Sequence, residues 1–158
     1  MTGIQQDIGL GERAHRSNGR PLVSVVIPTY KRAQLLRKAI ISALAQEKAG
    51  EVFDMEIIVV DDCSPDNTAP VAAEFPQVQY IKLPENRGAS GARNAGIKRA
   101  GGKYIALLDD DDEFLTHKLM IQVPILESHP EIGVLYGQSV VTGGDVLLLL
   151  WPEWGPSG

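Results

Sequence analysis

Four short apolar runs rich in β-branched residues, each separated from the next by a stretch of helical character, dominate this sequence. They are LVSVVI at 22–27, EIIVV at 56–60, the stretch 78–83 and YIALL at 104–108. Runs of this length bounded by turn formers read as buried strands, the first expected to close at Pro28. Residues 32–46 carry Leu35, Leu36, Ala39, Ile40, Ala43 and Leu44 on one helical stripe, with Lys31, Arg32, Arg37 and Lys38 elsewhere. Asn67 or Thr68 caps a short helix through Phe75, with Pro70 tolerated in its first turn. Residues 90–100 read as helix despite Gly91 and Gly96, and Gly101-Gly102 ends it. Another helix is expected over 115–128, kinked at Pro124 and stopped by Pro130. This βαβα alternation implies an α/β fold, an open and mostly parallel sheet with helices on both faces. Beyond it, residues 133–151 read as two strands around the turn Thr142-Gly143-Gly144-Asp145.

A chain of 158 residues suits a single domain. Residues 1–20 hold four glycines and no sustained periodicity, so a flexible leader is expected there, with a weak helical signal over 5–9, and the domain proper over 21–158. Apolar residues at 44% and charged residues at 22% exclude wholesale disorder. A net charge of −5 argues against a phosphate-tracking surface for nucleic acid. The single cysteine, Cys63, excludes an internal disulfide framework and fits a reducing compartment. The longest apolar run, 146–151, is six residues, far short of the roughly 18 of a membrane span. The first ten residues lack the basic start and apolar stretch of a secretory signal. The expected location is cytoplasmic, with any membrane attachment supplied by parts or partners outside this chain.

In open α/β sheets, ligands bind outside the carboxyl ends of the strands. Three strand ends here are polar: Thr29-Tyr30-Lys31, Asp61-Asp62 and the acidic run 109–112, to which Glu113 adds a fifth acid. Adjacent carboxylates repel one another unless solvent, a helix N-terminus or a cation offsets the charge. A hard divalent ion takes one or two carboxylates and leaves room for substrate phosphates. The plainer alternative is a solvated acidic cap for the following helix. Asp61-Asp62 can accept hydrogen bonds from a base or ribose, or can simply open a turn, since 62–67 is rich in turn formers. The loop 86–94 enters a helix with small residues, and its N–H groups with Arg87 and Arg93 suit a diphosphate. Its glycines equally suit close packing on the sheet. His117 fits a ligand, a base or a surface histidine in a first helical turn. His15 and His129 lack context, and the thiolate of Cys63 is disfavoured beside two aspartates.

Together these segments resemble the inverting glycosyltransferases of family 2, which have the GT-A, Rossmann-like fold. The resemblance is carried by VSVVIPTYKR (23–32), EIIVVDDCSPDNT (56–68), ENRGASGARNAGIKRAGGKYIALLDDDDEF (85–114) and the later Leu119, and covers about 21–136. It implies transfer of a sugar from a nucleotide-sugar donor, with uridine the expected base, to a sugar, lipid or protein acceptor. It also implies a divalent metal, Mn²⁺ or Mg²⁺. Carried over residue by residue, Thr29, Tyr30 and Asp62 hold the base while Asp61 supports the loop. Gly88 and Arg93 lie near the diphosphate. The D-x-D signature falls on Asp109-Asp110-Asp111. Asp111 is the expected metal ligand, and Asp109 and Asp110 serve ribose and metal-bound water, Asp109 being the second candidate ligand. A register through Asp110 and Asp112 is equally acidic.

The resemblance places the general base in an acceptor-binding half, later than the D-x-D. The chain is therefore expected to be the donor-binding part of a larger transferase, with its base beyond Gly158, binding nucleotide but transferring little sugar. Asp112, Glu113 and His117 are the candidates should the base lie within it. The apolar run 146–151, followed by Trp154, is expected to self-associate or to pack on the N-terminal arm. Two other classes compete: a nucleotide-binding module without catalysis, and a phosphorelay receiver domain. The receiver lacks a strand like LVSVVI ahead of its acidic pair and needs a later lysine after a strand.

Overall fold

The computed structural model describes residues 19–137, 140–143 and 146–149. The chain divides into two compact units between Val123 and Pro124. The first contains β1 (Leu22–Thr29), α1 (Ala33–Leu44), β2 (Asp54–Asp61), α2 (Thr68–Ala73), β3 (Val78–Lys82), α3 (Gly88–Arg99) and β4 (Tyr104–Leu107). Helix α4 (Lys118–Ser128) crosses the boundary, and β5 (Val140–Gly143) and β6 (Val146–Leu149) belong to the second unit. The first four strands form one parallel sheet in the order β3-β2-β1-β4. The chain thus leaves β1 toward one edge and returns through α3 to β1's other side. That reversal opens a crevice between the carboxyl ends of β1 and β4.

Both faces of the sheet are covered. On one, Val23, Val25, Ile27, Ile57 and Val59 pack with Leu36, Ala39, Ile40 and Ala43 of α1 and with Phe53, Leu119 and Val123. On the other, Ile58 and Val60 pack with Ala92 of α3 and with Leu83. Alternate residues of a strand face opposite sides, so double cover demands apolar side chains at nearly every position.

Strand β1 runs through Pro28 to Thr29 instead of closing at the proline. The Val26 carbonyl accepts from Leu108 and the Thr29 carbonyl from Asp62. Backbone groups alternate sides along a strand, so position 28 faces β4, whose last ladder partner of β1 is Leu107, opposite Val26. The missing proline N–H therefore falls where no ladder bond is called for.

Helix α4 starts at Lys118 instead of near Leu115, because two buried polar residues of α1 and its C-terminal extension claim the intervening backbone. Ser42 Oγ accepts from the Phe114 N–H at 3.0 Å, and Gln46 Nε2 donates to the Leu115 carbonyl at 2.9 Å. Gln46 Oε1 accepts from the Leu119 N–H at 3.0 Å, and the Glu47 N–H donates to the Thr116 carbonyl. Leu35, expected on the buried stripe, is exposed. The helix continues past Pro124 to Ser128. The end of α3 is tied to the sheet by Glu56, whose Oε1 accepts from Ser24 Oγ and the Gly101 N–H.

Arg20, the last residue of the expected leader, pairs with Asp54 at 3.0 Å. Residues 1–18, with the weak helical signal over 5–9, lie outside the described residues. In the second unit β5 and β6 form a separate antiparallel pair, Gly143 opposite Val146. Thr142 and Gly143 are thus strand residues, while Gly144, Asp145, Leu150, Trp151 and Trp154 lie outside the described residues. Among the described residues no helix is long and apolar enough to cross a membrane.

Helix α3 lies against the sheet through Gly96. A Cβ there would meet Val26 Cγ1 at 2.4 Å and Val60 Cγ2 at 3.1 Å. Gly96→Ala is therefore expected to lower stability by about 1–3 kcal/mol, the usual cost of overpacking. Gly133→Ala, with open space around the new methyl, should stay within about 0.5 kcal/mol of the parent. Urea midpoints at constant slope measure both.

Candidate functional site

The crevice at the reversal point has a volume of about 440 Å³ and is lined from three strand ends and the start of α3. Thr29 ends β1, Tyr30 and Arg32 follow it, and Asp62 follows β2. Asn86, Gly88 and Arg93 come from the α3 entry, and Asp109, Asp110 and Asp111 follow β4. Of the residues the resemblance assigned to nucleotide or metal, all but Asp61 line it, whereas Arg87, Asp112, Glu113 and His117 do not.

Asp61 and Asp62 divide their labour because neighbouring strand residues point to opposite faces. Asp61 is fully buried; it accepts from the Ser64 N–H at 2.8 Å and the Tyr80 hydroxyl at 2.5 Å, with Lys82 Nζ at 4.0 Å. It holds the loop and does not reach the crevice. Asp62 turns toward α3, where its Oδ1 accepts from the Arg87 N–H at 2.7 Å and its carbonyl from Asn86 Nδ2 at 3.2 Å. The sharp departures of the loops put Lys31, Cys63 and Gly88 at positive φ, 57°, 65° and 72°. Gly88 adopts this without strain, whereas Lys31 and Cys63 do so under the constraint of the surrounding bonds. Lys31 Nζ sits 4.9 Å from the centre of the half-exposed Tyr30 ring.

The acidic run is spread among partners. Asp110 is buried and accepts from Thr29 Oγ1 at 2.8 Å and Arg32 Nη1 at 3.1 Å. Asp111 accepts from the same Arg32 nitrogen at 2.6 Å, and Asp109 from Arg93 Nη2 at 2.6 Å. Asp112 does not line the crevice; its N–H donates to the Asp109 carbonyl. Partial burial, and then the charges of Asp111 and Asp109, push its carboxyl pKa up. Both members of the 109/111 register therefore line the crevice, whereas of the 110/112 register only Asp110 does. His117 is exposed and outside the crevice.

Among the described residues no three His, Cys, Asp or Glu side chains converge as a closed metal cage. Asp109 and Asp111 still fit a hard divalent ion: they offer oxygen donors, and their side chains are 44% and 49% exposed at the crevice. Such an ion completes its shell with water and phosphate oxygen.

Arg32 was not legible as a site residue, since its charge reads as the solvent side of α1. Its position directly after Thr29-Tyr30-Lys31 was the available signal. The Asp61 partner Tyr80 carried no signal, because its role depends on β3 lying beside β2.

Burial first, and then the bond to Asp61, hold the Tyr80 phenol above its usual range. Its protonated form is favoured in the folded chain. The resulting stability is complete below the unfolded phenol value, about 10, and is lost as pH rises beyond it. In absorbance titration Tyr80→Phe should remove a phenol that ionises above the usual range. At pH 7 the same substitution should cost about 1.5–3 kcal/mol, as for a hydrogen bond to a charged group.

The profile of "Glycosyl transferase family 2" matches residues 24–151. The chain is 48% identical over 94 residues to succinoglycan biosynthesis protein ExoO of Rhizobium meliloti, covering 58% of this chain and 26% of that protein. Among solved structures, Staphylococcus aureus TarS in complex with UDP-GlcNAc superposes with a TM-score of 0.63 at 26% identity, covering 68% of this chain and 32% of TarS. The mannosyltransferase PcManGT of Pyrobaculum calidifontis, in complex with GDP-Man and Mn²⁺, gives 0.56 at 26% identity, covering 64% of this chain and 30% of that one. The chain thus spans well under half the length of these relatives. The phosphorelay reading falls with this match, which sequence and structural likeness both support: the chain belongs to glycosyl transferase family 2.

Proposed function

We propose that the crevice binds a nucleotide-diphosphate sugar, with uridine as its base, together with Mn²⁺ or Mg²⁺. The protein then transfers the sugar, with inversion, to an acceptor hydroxyl. One observation carries this reading: Thr29, Tyr30, Asp62, Gly88, Arg93 and the Asp109–111 carboxylates, drawn from four separate stretches of sequence, line one crevice. The UDP-GlcNAc complex of TarS and the Mn²⁺ complex of PcManGT support the choice of ligands.

In this reading Asp62 accepts a hydrogen bond from a uracil N–H or a ribose hydroxyl, and the Tyr30 ring lies beside the base. The first turn of α3, from Gly88, faces the diphosphate with its N–H groups, and Arg93 adds a guanidinium. Asp111 and Asp109 would hold the cation, beside Asp110, which is fixed by Thr29 and Arg32. A bound divalent ion supplies charge neutralisation for the leaving diphosphate. The base that takes the acceptor's proton is assigned to an acceptor-binding half, as the resemblance implies.

Two measurements test the reading. UDP affinity by calorimetry should depend on Mn²⁺ and be abolished or strongly weakened by EDTA. Asp111→Asn should cost about 10- to 150-fold, the worth of one charged contact. Equal affinity with and without EDTA would remove the cation from the site. Separately, Asp62→Ala should weaken UDP binding about 10-fold or more, while the thermal midpoint stays within about 8 °C. Loss of the folded state instead would make Asp62 a turn former alone.

A further inference from the structure

Arg32 stands immediately ahead of α1, its backbone fixed by the bond from the Leu36 N–H to its carbonyl at 2.9 Å. Its Nη1 bridges two carboxylates that differ in freedom. Asp110 is buried and also takes the Thr29 hydroxyl, so it is an anchor. Asp111 and Arg32 have side chains each 49% exposed, and exposed ion pairs of this kind are weak. The guanidinium remains charged at any working pH, and Asp110, first by hydrogen bond and then by charge, strengthens its hold on its protons. The crevice is lined by Asp62, Asp109, Asp110 and Asp111 against Arg32 and Arg93. Acidic charge is in excess there, which opposes a polyanionic ligand. Both carboxylates assigned to the cation are already held by a guanidinium of this chain.

We propose that Arg32 is a partner-exchanging positioning residue. It holds Asp111 until cation and nucleotide diphosphate arrive, then passes from Asp111 to the diphosphate while anchored on Asp110. The inference rests on the nucleotide-and-cation reading above. A cation arriving alone displaces the guanidinium from Asp111 and leaves it without that partner. A cation arriving with a diphosphate gives it a new anionic partner, for which the planar guanidinium is suited. The two ligands therefore bind with positive coupling. Linkage requires each to raise the other's affinity by the same factor.

The test is calorimetry on the full 158-residue chain, titrating Mn²⁺ alone, UDP alone and UDP at saturating Mn²⁺. Arg32→Gln, which keeps a donor near Asp110 but loses the charge, is compared with Arg32→Lys. In Arg32→Gln, Mn²⁺ alone should bind about 3- to 10-fold tighter and UDP at saturating Mn²⁺ about 10-fold weaker, so the coupling shrinks. Arg32→Lys should return Mn²⁺ affinity to the parent value and recover part of the UDP affinity, as a point charge without the planar fork. An Arg32→Gln chain with unchanged coupling, or with weaker binding of Mn²⁺ alone, would make Arg32 a simple loop tether and overturn the inference while leaving the nucleotide reading intact. A parent chain that takes up no UDP under any of these conditions would defeat both.

Discussion

The hydroxyl of Thr29 donates to Asp110 Oδ2 at 2.8 Å, joining residues 81 positions apart at the carboxyl ends of β1 and β4. The β1–β4 ladder pairs Val26 with Leu107, and the Leu108 N–H adds one bond to the Val26 carbonyl. Past that point no ladder bond joins the two segments, and this side-chain bond links them. A buried carboxylate without donors is costly, so Asp110 is tolerable there only because Thr29 and Arg32 supply them. With Asp110 anchored inward, Asp109 and Asp111 are directed to either side, toward Arg93 and Arg32. The crevice geometry follows from that one arrangement.

Charge is handled locally. The run 109–112 looks self-repelling as a string, yet three of its carboxylates reach guanidiniums from two different segments. Asp112, which does not line the crevice, has its carboxyl pKa pushed up by partial burial and then by the charges of Asp111 and Asp109. A crevice wall of paired ions suits the proposed ligands, a cation and a diphosphate, which themselves carry both signs. Each can take over a partner already present in the wall.

Helix α1 acts on the same acidic segment from both of its ends. Arg32, ahead of the helix, grips Asp110 and Asp111, while Ser42 and Gln46 grip residues 114–119. The segment between the acidic run and α4 therefore has a defined path without secondary structure of its own. The bound backbone also explains why the helical pattern over 115–117 is not realised: a side chain that claims a helix's first N–H and C=O groups delays its start.

The strands, the order of elements and the polar character of three strand ends were legible in the residues. A doubly covered parallel sheet demands continuous apolar runs, and polar residues at their ends have few places to go except the carboxyl edge. The glycines of α3 had two readings, and the packed structure supports one directly, since Gly96 touches Val26 and Val60. Other features were not legible in the residues' own chemistry. Asp61 and Asp62 are identical in kind and adjacent; only the resemblance separated loop support from crevice residue in the sequence, and in the structure strand alternation and the arrival of Tyr80 and Arg87 tell them apart. Which of four consecutive aspartates line the crevice, and which partner each takes, depends on where Thr29, Arg32 and Arg93 stand. Local pattern records what a residue is and which way a strand or helix turns it. Pairing across 81 positions arises only when the chain reverses at β1, because the donors and the carboxylates they select come from different elements.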